Sequence, residues 1–430
     1  MTVAAASVSP ARACAFQVLR RVFERGAYAD RALAAEADRA ALSDRDRALA
    51  TRIAYGAVQR RATLDHLVEC LTEREAGKLS PSVLAALRVG LFQLLFLDGV
   101  AEHAAVNDSV ELAKAGGAPG ARLVNAVLRR ATREGRAIVE ELNDSTPEGA
   151  ALLRSVPGWL ADQWWRELGG DEARALLERI NEPAESALRV NTLISSPEDV
   201  VRRLPLQARA VPGLPEALVL EGPFDAFSSE LWREGAVMAQ STGSMRVVRT
   251  LAPGPADRVL DLCAAPGGKT THIAARRGAS GDIIAVERHP GRARALEQTC
   301  RRMHAGGIQV RVADAAELVL GPAFERVLVD PPCSGLGTLQ SRPDIRWRAS
   351  PQSIAELAEL QLRILKVGAA ATCVGGILVY SVCTISRDEG EGVIDQFLAQ
   401  HHDFALDQRL QLLPHRDDTD GFFIARLRRM

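Results

Sequence analysis

The sequence contains no long apolar run and no recognisable export signal. None of its apolar stretches reaches the roughly 18 uninterrupted residues that a membrane-spanning helix needs. The stretch from Val83 to Val100, for example, is interrupted by Arg88. Met1 to Pro10 lack a basic segment followed by an apolar core, which argues against a secretory signal. We therefore expect a cytoplasmic protein without a membrane partner.

Closely spaced cysteines are also missing. The seven cysteines are widely scattered, and none of them forms a C-x-x-C pair. This pattern argues against a disulfide framework and against a zinc site, so we expect no metal. The cysteines are Cys14, Cys70, Cys263, Cys300, Cys333, Cys373 and Cys383.

Positive charge is not in excess. A formal net charge of -1 and a pI near 6.7 give no global sign of nucleic-acid binding, so any RNA contact must come from a local patch. Lysine is scarce compared with arginine, which makes each lysine a candidate for a specific chemical role. The lysines are Lys78, Lys114, Lys269 and Lys366.

At 430 residues the chain is too long for one ordinary core. Apolar residues recur mostly at three- and four-residue spacing between residues 11 and 136, which predicts an all-α domain over 1–142 with a loop at 116–120. Mixed helical and strand patterns predict a small α+β connecting domain over 143–225. Short apolar runs alternate with helical stretches over 226–430, which predicts a Rossmann-like α/β domain with a mainly parallel, doubly wound sheet.

The most informative residues lie where the predicted strands end, which is where such a sheet binds its ligands. Asp261 to Thr270 close the first strand and open a helix, and their small residues let backbone amides approach a ligand. A P-loop would need a glycine in place of Cys263, and no G-x-G-x-x-G motif is present there. Glu287 ends the second strand and can accept hydrogen bonds from ribose hydroxyls. Asp314 ends the third strand and can accept one from an adenine amino group, so the acids predict an adenosine-type cofactor.

Two further strand ends carry thiols. Cys333 follows Asp330 and two prolines that hold the loop extended, and Cys383 ends the next strand. A thiolate that adds to C6 of cytosine makes C5 nucleophilic enough to take a methyl group from a sulfonium. Lys269 or a protonated Asp330 can stabilise the charge that builds on the base. The residues alone do not decide which thiol attacks.

Five segments of the sequence form distinctive motifs, at residues 263–269, 330–335, 342–347, 380–384 and 420–425. They resemble the motifs of the Sun-type (Nol/Nop/Sun) family of RNA cytosine-5 methyltransferases, which use S-adenosyl-L-methionine. In the amino-terminal region, residues 46–48, 55–56, 87–95 and 124–129 resemble a NusB-type RNA-binding domain. The two regions together are similar to the Sun/Fmu (RsmB) subgroup, which methylates a cytosine of 16S rRNA.

The resemblance assigns roles to individual residues. It implies that Cys383 is the nucleophile, that Cys333 assists release, and that Lys269 and Asp330 lie near the target base. It also implies a class I methyltransferase fold whose methyl-donor site is lined by Cys263, Ala264, Ala265, Pro266, Gly267, Gly268, Lys269, Glu287, Asp314 and Asp330.

The sequence departs from the family in three places. Glu287 stands where aspartate is usual, and Gln340 and Ser341 stand where basic residues are common. Residues 238–241 replace a segment that more often carries Gln-Asp or Gln-Asn. We expect a monomer that acts on a single-stranded or loop cytosine of 16S rRNA. A tRNA cytosine-5 methyltransferase and a non-catalytic RNA-binding or assembly factor are the alternatives.

Overall fold

A computed structural model describes residues 8–114, 117–222, 224–278 and 282–430. Contacts divide the chain into two compact units. The first contains the residues up to Glu182 together with Leu339–Arg348, and the second contains Pro183–Thr338 and Ala349–Met430. Most of the segment assessed for a signal, and residue 116 of the predicted loop, lie outside the described residues.

The first unit is helical, as predicted. Ser43 caps one of its helices, because its hydroxyl accepts a hydrogen bond from the backbone N–H of Asp46 at 3.2 Å. Val124, Val127 and Leu128 lie on one face of another and are buried in the core of this unit. The helices are α1 (Pro10–Arg25), α2 (Ala29–Arg39), α3 (Asp44–Gln59), α4 (Arg61–Thr72), α5 (Pro81–Phe96), α6 (Glu102–Ala113), α7 (Ala118–Glu140), α8 (Pro147–Arg154), α9 (Gly158–Leu168) and α10 (Gly170–Arg179).

The predicted loop at 116–120 is shorter than expected. Helix α7 begins at Ala118, so the last three residues of that stretch are helical. Pro119 lies in the first turn, where a helix does not need the backbone N–H that proline lacks. A proline that looked like a loop signal therefore starts the helix.

The segment Leu339–Arg348 belongs to the first unit, although it is far from that unit in sequence. Arg346 is fully buried and donates hydrogen bonds to the carbonyl of Ser155 at 3.0 Å and to Oδ1 of Asn181 at 2.9 Å. The indole N–H of Trp347 donates to the carbonyl of Val58 at 2.7 Å. One of the five resemblance motifs is thus anchored in the helical unit.

A small antiparallel sheet opens the second unit, in the order β2-β3-β1-β4. Helices α11 (Pro197–Arg203) and α12 (Glu230–Arg233) accompany it. The sheet expected in the predicted α+β connecting domain is therefore present. Its last strand lies beyond residue 225, where that domain was predicted to end. The exact domain boundaries stay predictions. The strands are β1 (Ala187–Val190), β2 (Ala208–Val211), β3 (Leu214–Leu220) and β4 (Val237–Ala239).

The larger sheet has the order β10-β11-β9-β8-β5-β6-β7. Strands β5 to β9 pair in parallel, whereas β11 pairs antiparallel with both β9 and β10. The predicted Rossmann-like, mainly parallel sheet is confirmed. Its strands are β5 (Val259–Leu262), β6 (Ile283–Glu287), β7 (Ile308–Val312), β8 (Phe324–Val329), β9 (Thr372–Val382), β10 (Phe404–Leu412) and β11 (Phe422–Arg429).

Helices connect the strands of this sheet. Val259 and Leu328 on the sheet pack against Val248 and Ile273 on two of these helices in one buried cluster. No helix in the described ranges is long and apolar enough to cross a membrane. The helices are α13 (Thr242–Leu251), α14 (Gly268–Arg277), α15 (Pro290–Arg302), α16 (Pro351–Ala371), α17 (Glu391–Leu398) and α18 (Pro414–Asp417).

Candidate active site

The candidate site lies in the second unit, at the point where the strand order reverses. The chain runs outward from β5 through β6 to β7 and then returns to the other side of β5 as β8. Open α/β sheets bind ligands beyond the carboxyl ends of the strands at such a point. The residues that follow β5 and β8 therefore face the same region of the sheet edge.

Asp261 lies in β5, one of the two strands at this reversal. It is 1% exposed, and its Oδ2 accepts a hydrogen bond from the hydroxyl of Thr270 at 2.7 Å. Burial raises the pKa of Asp261 to about 7, and the nearby charge of Asp330 acts in the same direction. Its Oδ1 is buried and has no hydrogen-bond partner among the described residues. A buried carboxyl oxygen without a partner is unusual and indicates a place for a ligand.

The turn after β5 brings the backbone close to this region. Gly267 has a φ of +104° and precedes the first residue of α14. A Cβ at Gly267 would lie 2.8 Å from Cδ1 of Leu296, so the turn accepts only glycine without movement. The first N–H groups of α14 therefore lie at the end of a tight turn, which is the geometry that favours anionic or polar ligands.

Lys269 and Asp330 form an ion pair at the same edge. Lys269 Nζ donates to Asp330 Oδ2 at 2.7 Å, and the hydroxyl of Ser381 donates to Asp330 Oδ1 at 2.9 Å. Burial alone would lower the pKa of Lys269, but the charge and hydrogen bond of Asp330 outweigh it and raise that pKa. The ammonium also lies over the ring of Phe422, 5.3 Å from its centroid. Lys269 is thus held as a cation.

The two thiols predicted at successive strand ends lie together. Cys333 Sγ is 3.4 Å from Cys383 Sγ, across 50 positions of sequence. Strands β8 and β9 pair in parallel, which brings the loop after β8 beside the end of β9. The hydrogen bond with Cys383 and then burial raise the pKa of Cys333 well above its ordinary value. Cys333 therefore keeps its proton beside Cys383.

The other predicted donor-site residues lie at neighbouring strand ends. Glu287 is 3% exposed; its Oε1 accepts from the N–H of His289 at 2.8 Å, and its Oε2 is 3.5 Å from Nε of Arg292. Asp314 Oδ1 accepts from the N–H of Ala316 at 3.0 Å. Glu287 is the last residue of β6, and Asp314 lies two residues after the end of β7. Each carboxylate accepts a hydrogen bond from a backbone N–H two residues further along the chain.

The loop residues between β5 and α14 differ in exposure. Ala264 and Ala265 are buried, Pro266 is exposed, and Gly268 is half-buried. Cys263 is also half-buried, with a φ of +67°, and burial raises the pKa of its thiol. Cys263 is therefore a poor candidate for a thiolate.

Sequence reasoning missed Ser381, Phe422 and Glu389. Ser381 and Phe422 lie inside two of the recognised motifs, and membership of those motifs was the signal that could have identified them. Ser381 contacts Asp330, and Phe422 contacts Lys269. Glu389 belongs to none of the recognised motifs, yet it is fully buried. Among the described residues, no group of three or more histidine, cysteine or acidic side chains could hold a metal ion.

Comparison with protein families divides the chain into three matched regions. Residues 248–428 match the family described as 16S rRNA methyltransferase RsmB/F. Residues 9–133 match the NusB family, and residues 156–226 match the ferredoxin-like domain of RsmF/B-like methyltransferases.

Curated relatives match over nearly the full length. The probable ribosomal RNA small subunit methyltransferase B of Synechocystis is 37% identical and covers 97% of this chain and 99% of its own length. The corresponding proteins of Thermus thermophilus and Bacillus subtilis are 36% and 32% identical; each covers 97% of this chain and 98% of its own length.

Solved structures agree with this assignment. The crystal structure of the protein PH0851 is 26% identical, with a TM-score of 0.83, and covers 98% of this chain and 99% of its own. A methyltransferase homologue from Pyrococcus horikoshii is 28% identical, with a TM-score of 0.60, and covers 67% of this chain and all of its own. The chain therefore belongs to the RsmB/F family of 16S rRNA methyltransferases and is a methyltransferase with a NusB-like helical domain.

Proposed function

We propose that this protein methylates C5 of a cytosine in 16S rRNA, with S-adenosyl-L-methionine as methyl donor and Cys383 as nucleophile. The observation that carries the proposal is the pair of sulfur atoms 3.4 Å apart beyond the strand ends that also hold Lys269 and Asp330. An unreactive C5 carbon needs covalent activation, and a thiol pair beside a fixed cation suits that chemistry.

The residues around β5 and β6 fit the proposed donor. Asp261 offers a buried oxygen without a partner, Gly267 permits close backbone approach, and Glu287 offers a buried carboxylate. We propose that Cys263 to Lys269, Glu287, Asp314 and Asp330 hold the donor. When bound, the donor supplies a methyl group on a positively charged sulfur.

We assign the two thiols different tasks. The Cys383 thiolate adds to C6 of the cytosine. Once C5 is methylated, loss of the C5 proton to a base breaks the bond between sulfur and C6 and releases the Cys383 thiolate. Cys333 keeps its proton, so its S–H can donate to the sulfur of Cys383 and stabilise that thiolate before attack and on departure. This arrangement supports the role of Cys333 as the thiol that assists release.

Lys269 and Asp330 act on the target base. The ammonium of Lys269 is fixed by Asp330 and Phe422, so it can face negative charge on the base without reorganising. Ser381 fixes the other oxygen of Asp330. We propose that this pair orients the ring and stabilises the charge that forms when the thiolate adds.

The substrate cytosine must leave its stack to expose C6 to a thiolate. We therefore propose a single-stranded or loop cytosine of 16S rRNA as the target of a monomeric, cytoplasmic protein. The relatives named as small subunit methyltransferase B support this RNA. The NusB-like match supports RNA binding by the first unit.

A methylation assay tests the proposal. The purified protein is incubated with labelled S-adenosyl-L-methionine and with 16S rRNA from a strain that lacks the gene, and nucleosides are analysed by mass spectrometry. Label in 5-methylcytosine of 16S rRNA is the expected result. Label found only in a parallel tRNA sample would contradict 16S rRNA as the substrate and identify tRNA instead. Absence of both label and donor binding by calorimetry would favour a non-catalytic assembly factor.

A further inference from the structure

A buried carboxylate lies between the two loops that carry the thiols. Glu389 is 0% exposed. The backbone N–H of Ser334, which follows Cys333, donates to Glu389 Oε1 at 2.7 Å. The hydroxyl of Thr384, which follows Cys383, donates to Glu389 Oε2 at 3.2 Å. One carboxyl group therefore bonds to the chain neighbours of both cysteines.

The partners of Glu389 match an anion. The hydroxyl of Ser334 donates to Glu389 Oε2, and Nε2 of Gln361 donates to Oε1 at 3.0 Å. With the Ser334 N–H and the Thr384 hydroxyl, both oxygens face donors. Hydrogen bonds to an ionised acceptor are stronger than neutral ones, and leaving such a group unpaired inside the fold is costly. The carboxylate is therefore a strong link between its partners.

Gln361 extends this link to the other side of Cys333. Its Nε2 also donates to the carbonyl of Pro332 at 2.9 Å, and its Oε1 accepts from the hydroxyl of Tyr380 at 3.0 Å. Gln361 and Tyr380 are both fully buried. The residues before and after Cys333 are thus both tied to Glu389, directly or through one amide.

We propose that Glu389 is a positioning residue for the methyl transfer reaction. Its carboxylate holds the Cys333 loop against the strand end that carries Cys383, so that the two sulfur atoms stay in contact. The catalytic consequence rests on the proposed function. The geometric claim does not, because it concerns only the distance between two side chains of this chain.

The charge of Glu389 also acts on Cys333. The hydrogen bond with Cys383, burial, and the charges of Cys383 and Glu389 together raise the pKa of Cys333. Burial raises the pKa of Glu389 itself, whereas its hydrogen bonds from Ser334, Gln361 and Thr384 oppose that rise. The same carboxylate thus helps to keep Cys333 as a thiol.

Glu389→Gln is the direct test, because the amide keeps the size of the side chain but turns one acceptor into a donor facing other donors. Glu391→Gln is the matched control. Glu391 lies two positions along the chain, is partly exposed, and pairs with Arg387 at 3.4 Å. Thermal melts and near-UV circular dichroism confirm that each variant is folded.

The main readout is the rate at which diamide links the two thiols. Diamide takes one hydrogen atom from each thiol and joins the sulfurs, and the linked Cys333 and Cys383 peptides are identified by mass spectrometry. Loss of the Glu389 charge would by itself lower the pKa of Cys333 and favour its reaction with diamide, so a slower reaction reports lost alignment of the two sulfur atoms. We expect Glu389→Gln to slow this reaction by at least about tenfold and Glu391→Gln to leave it unchanged. Linkage at the unsubstituted rate in Glu389→Gln, or none in the unsubstituted protein, would overturn the proposal.

Methylation kinetics give the second readout. Glu389→Gln should lower kcat by at least about tenfold while KM for the methyl donor stays within about twofold. If the unsubstituted protein does not methylate cytosine but linkage still depends on Glu389, the proposed function fails and the positioning role stands.

If Glu389→Gln does not fold, Ser334→Ala takes its place. This variant removes one hydroxyl donor and leaves the carboxylate with its other partners. It should slow diamide linkage by about two- to fivefold, in line with the loss of one hydrogen bond. An unchanged linkage rate in a folded Ser334→Ala protein would also count against the role.

Discussion

Lys269 Nζ donates a hydrogen bond to Asp330 Oδ2 at 2.7 Å, although the two residues are 61 positions apart. The contact joins the first turn of α14 to the end of β8, which are neighbours at the reversal of the sheet. Burial alone would lower the pKa of Lys269, but the charge and hydrogen bond of Asp330 outweigh burial and raise that pKa. The site therefore contains a fixed positive charge beside two thiols.

Replacing Lys269 with methionine removes this charge and keeps most of the side-chain volume. We expect single-turnover methylation to fall by about 10²- to 10³-fold, as for loss of a preorganised donor in other enzymes. Lys78→Met is the control, since Lys78 is exposed and pairs with the nearby Glu75. A Lys269→Met rate within about threefold of the unsubstituted rate would remove Lys269 from the mechanism.

Gly267→Ala tests the donor turn. The new methyl group would meet Leu296 at 2.8 Å, and the backbone would stay in the left-handed region at a φ of +104°. We expect the Kd for S-adenosyl-L-methionine, measured by calorimetry, to rise by about tenfold or more, because about 1 to 2 kcal/mol of strain is introduced.

Gly278→Ala is the matched control for this substitution. Gly278 has a φ of +80° at the other end of α14, and a Cβ there meets nothing within 4 Å. The two variants share the backbone penalty, so a difference in donor affinity reports the turn itself. Equal affinities would show that the turn at Gly267 does not approach the donor.

The pair formed by His272 and Glu216 predicts acid sensitivity. His272 Nε2 lies 2.9 Å from Glu216 Oε1, and both side chains are buried. Burial, only partly opposed by Glu216, lowers the pKa of His272 from 6.5 to about 4. Burial works against ionisation of Glu216, but the hydrogen bond from His272 and nearby positive charges lower its pKa to about 2.

The unfolded chain therefore takes up a proton on His272 before the folded chain does. The free energy of unfolding should be highest above pH 6.5 and should fall as the pH drops towards 4, by about 3 kcal/mol. Glu216 adds a further loss between pH 4.5 and about 2. Urea unfolding across this range should show a flatter pH dependence for His272→Gln. The exposed control His402→Gln should keep the unsubstituted slope, and an equally steep slope in His272→Gln would contradict the account.

Arg346→Met tests the anchoring of the 339–348 segment. The substitution removes the donor to the buried carbonyl of Ser155 and to the half-buried side chain of Asn181. We expect a loss of about 2 to 4 kcal/mol in the free energy of unfolding of the first unit. Four of the five tryptophans lie in that unit, so tryptophan fluorescence during urea unfolding reports mainly on it. The exposed control Arg342→Ala should change stability by less than about 0.5 kcal/mol, and an equally small change in Arg346→Met would refute the anchoring role.

Local patterns were sufficient for much of the fold. The α/β alternation predicted the strands that end near Asp261, Glu287 and Asp330, because hydrophobic runs and turn residues mark them directly. The antiparallel strands β10 and β11 were not predicted as elements, although Arg426, Leu427 and Arg428 alternate in polarity as the residues of a half-buried strand do. The place of Arg346 could not be predicted either, because its partners Ser155, Ile180 and Asn181 lie more than 160 positions away in sequence.

The sequence allowed individual site residues to be predicted, but it did not allow the contacts between their side chains to be predicted. Sequence placed Cys333 and Cys383 at successive strand ends, yet their contact depends on β8 and β9 being neighbours in the sheet. Strand order is a tertiary property that no local pattern specifies. The contacts of Glu389 could not be predicted for the same reason, because its hydrogen-bond partners Gln361 and Ser334 are distant in sequence. The roles given to the two thiols stay predictions.

A covalent trap tests the division of labour between the thiols most directly. Cys383→Ala and Cys333→Ala proteins are each incubated with S-adenosyl-L-methionine and unmodified 16S rRNA, and the products are separated on a denaturing gel. The account predicts that Cys383→Ala gives no adduct and no methylation. Cys333→Ala should accumulate a stable protein–RNA adduct, because the thiol that assists release is gone. An adduct with Cys383→Ala and none with Cys333→Ala would contradict the account and exchange the two roles.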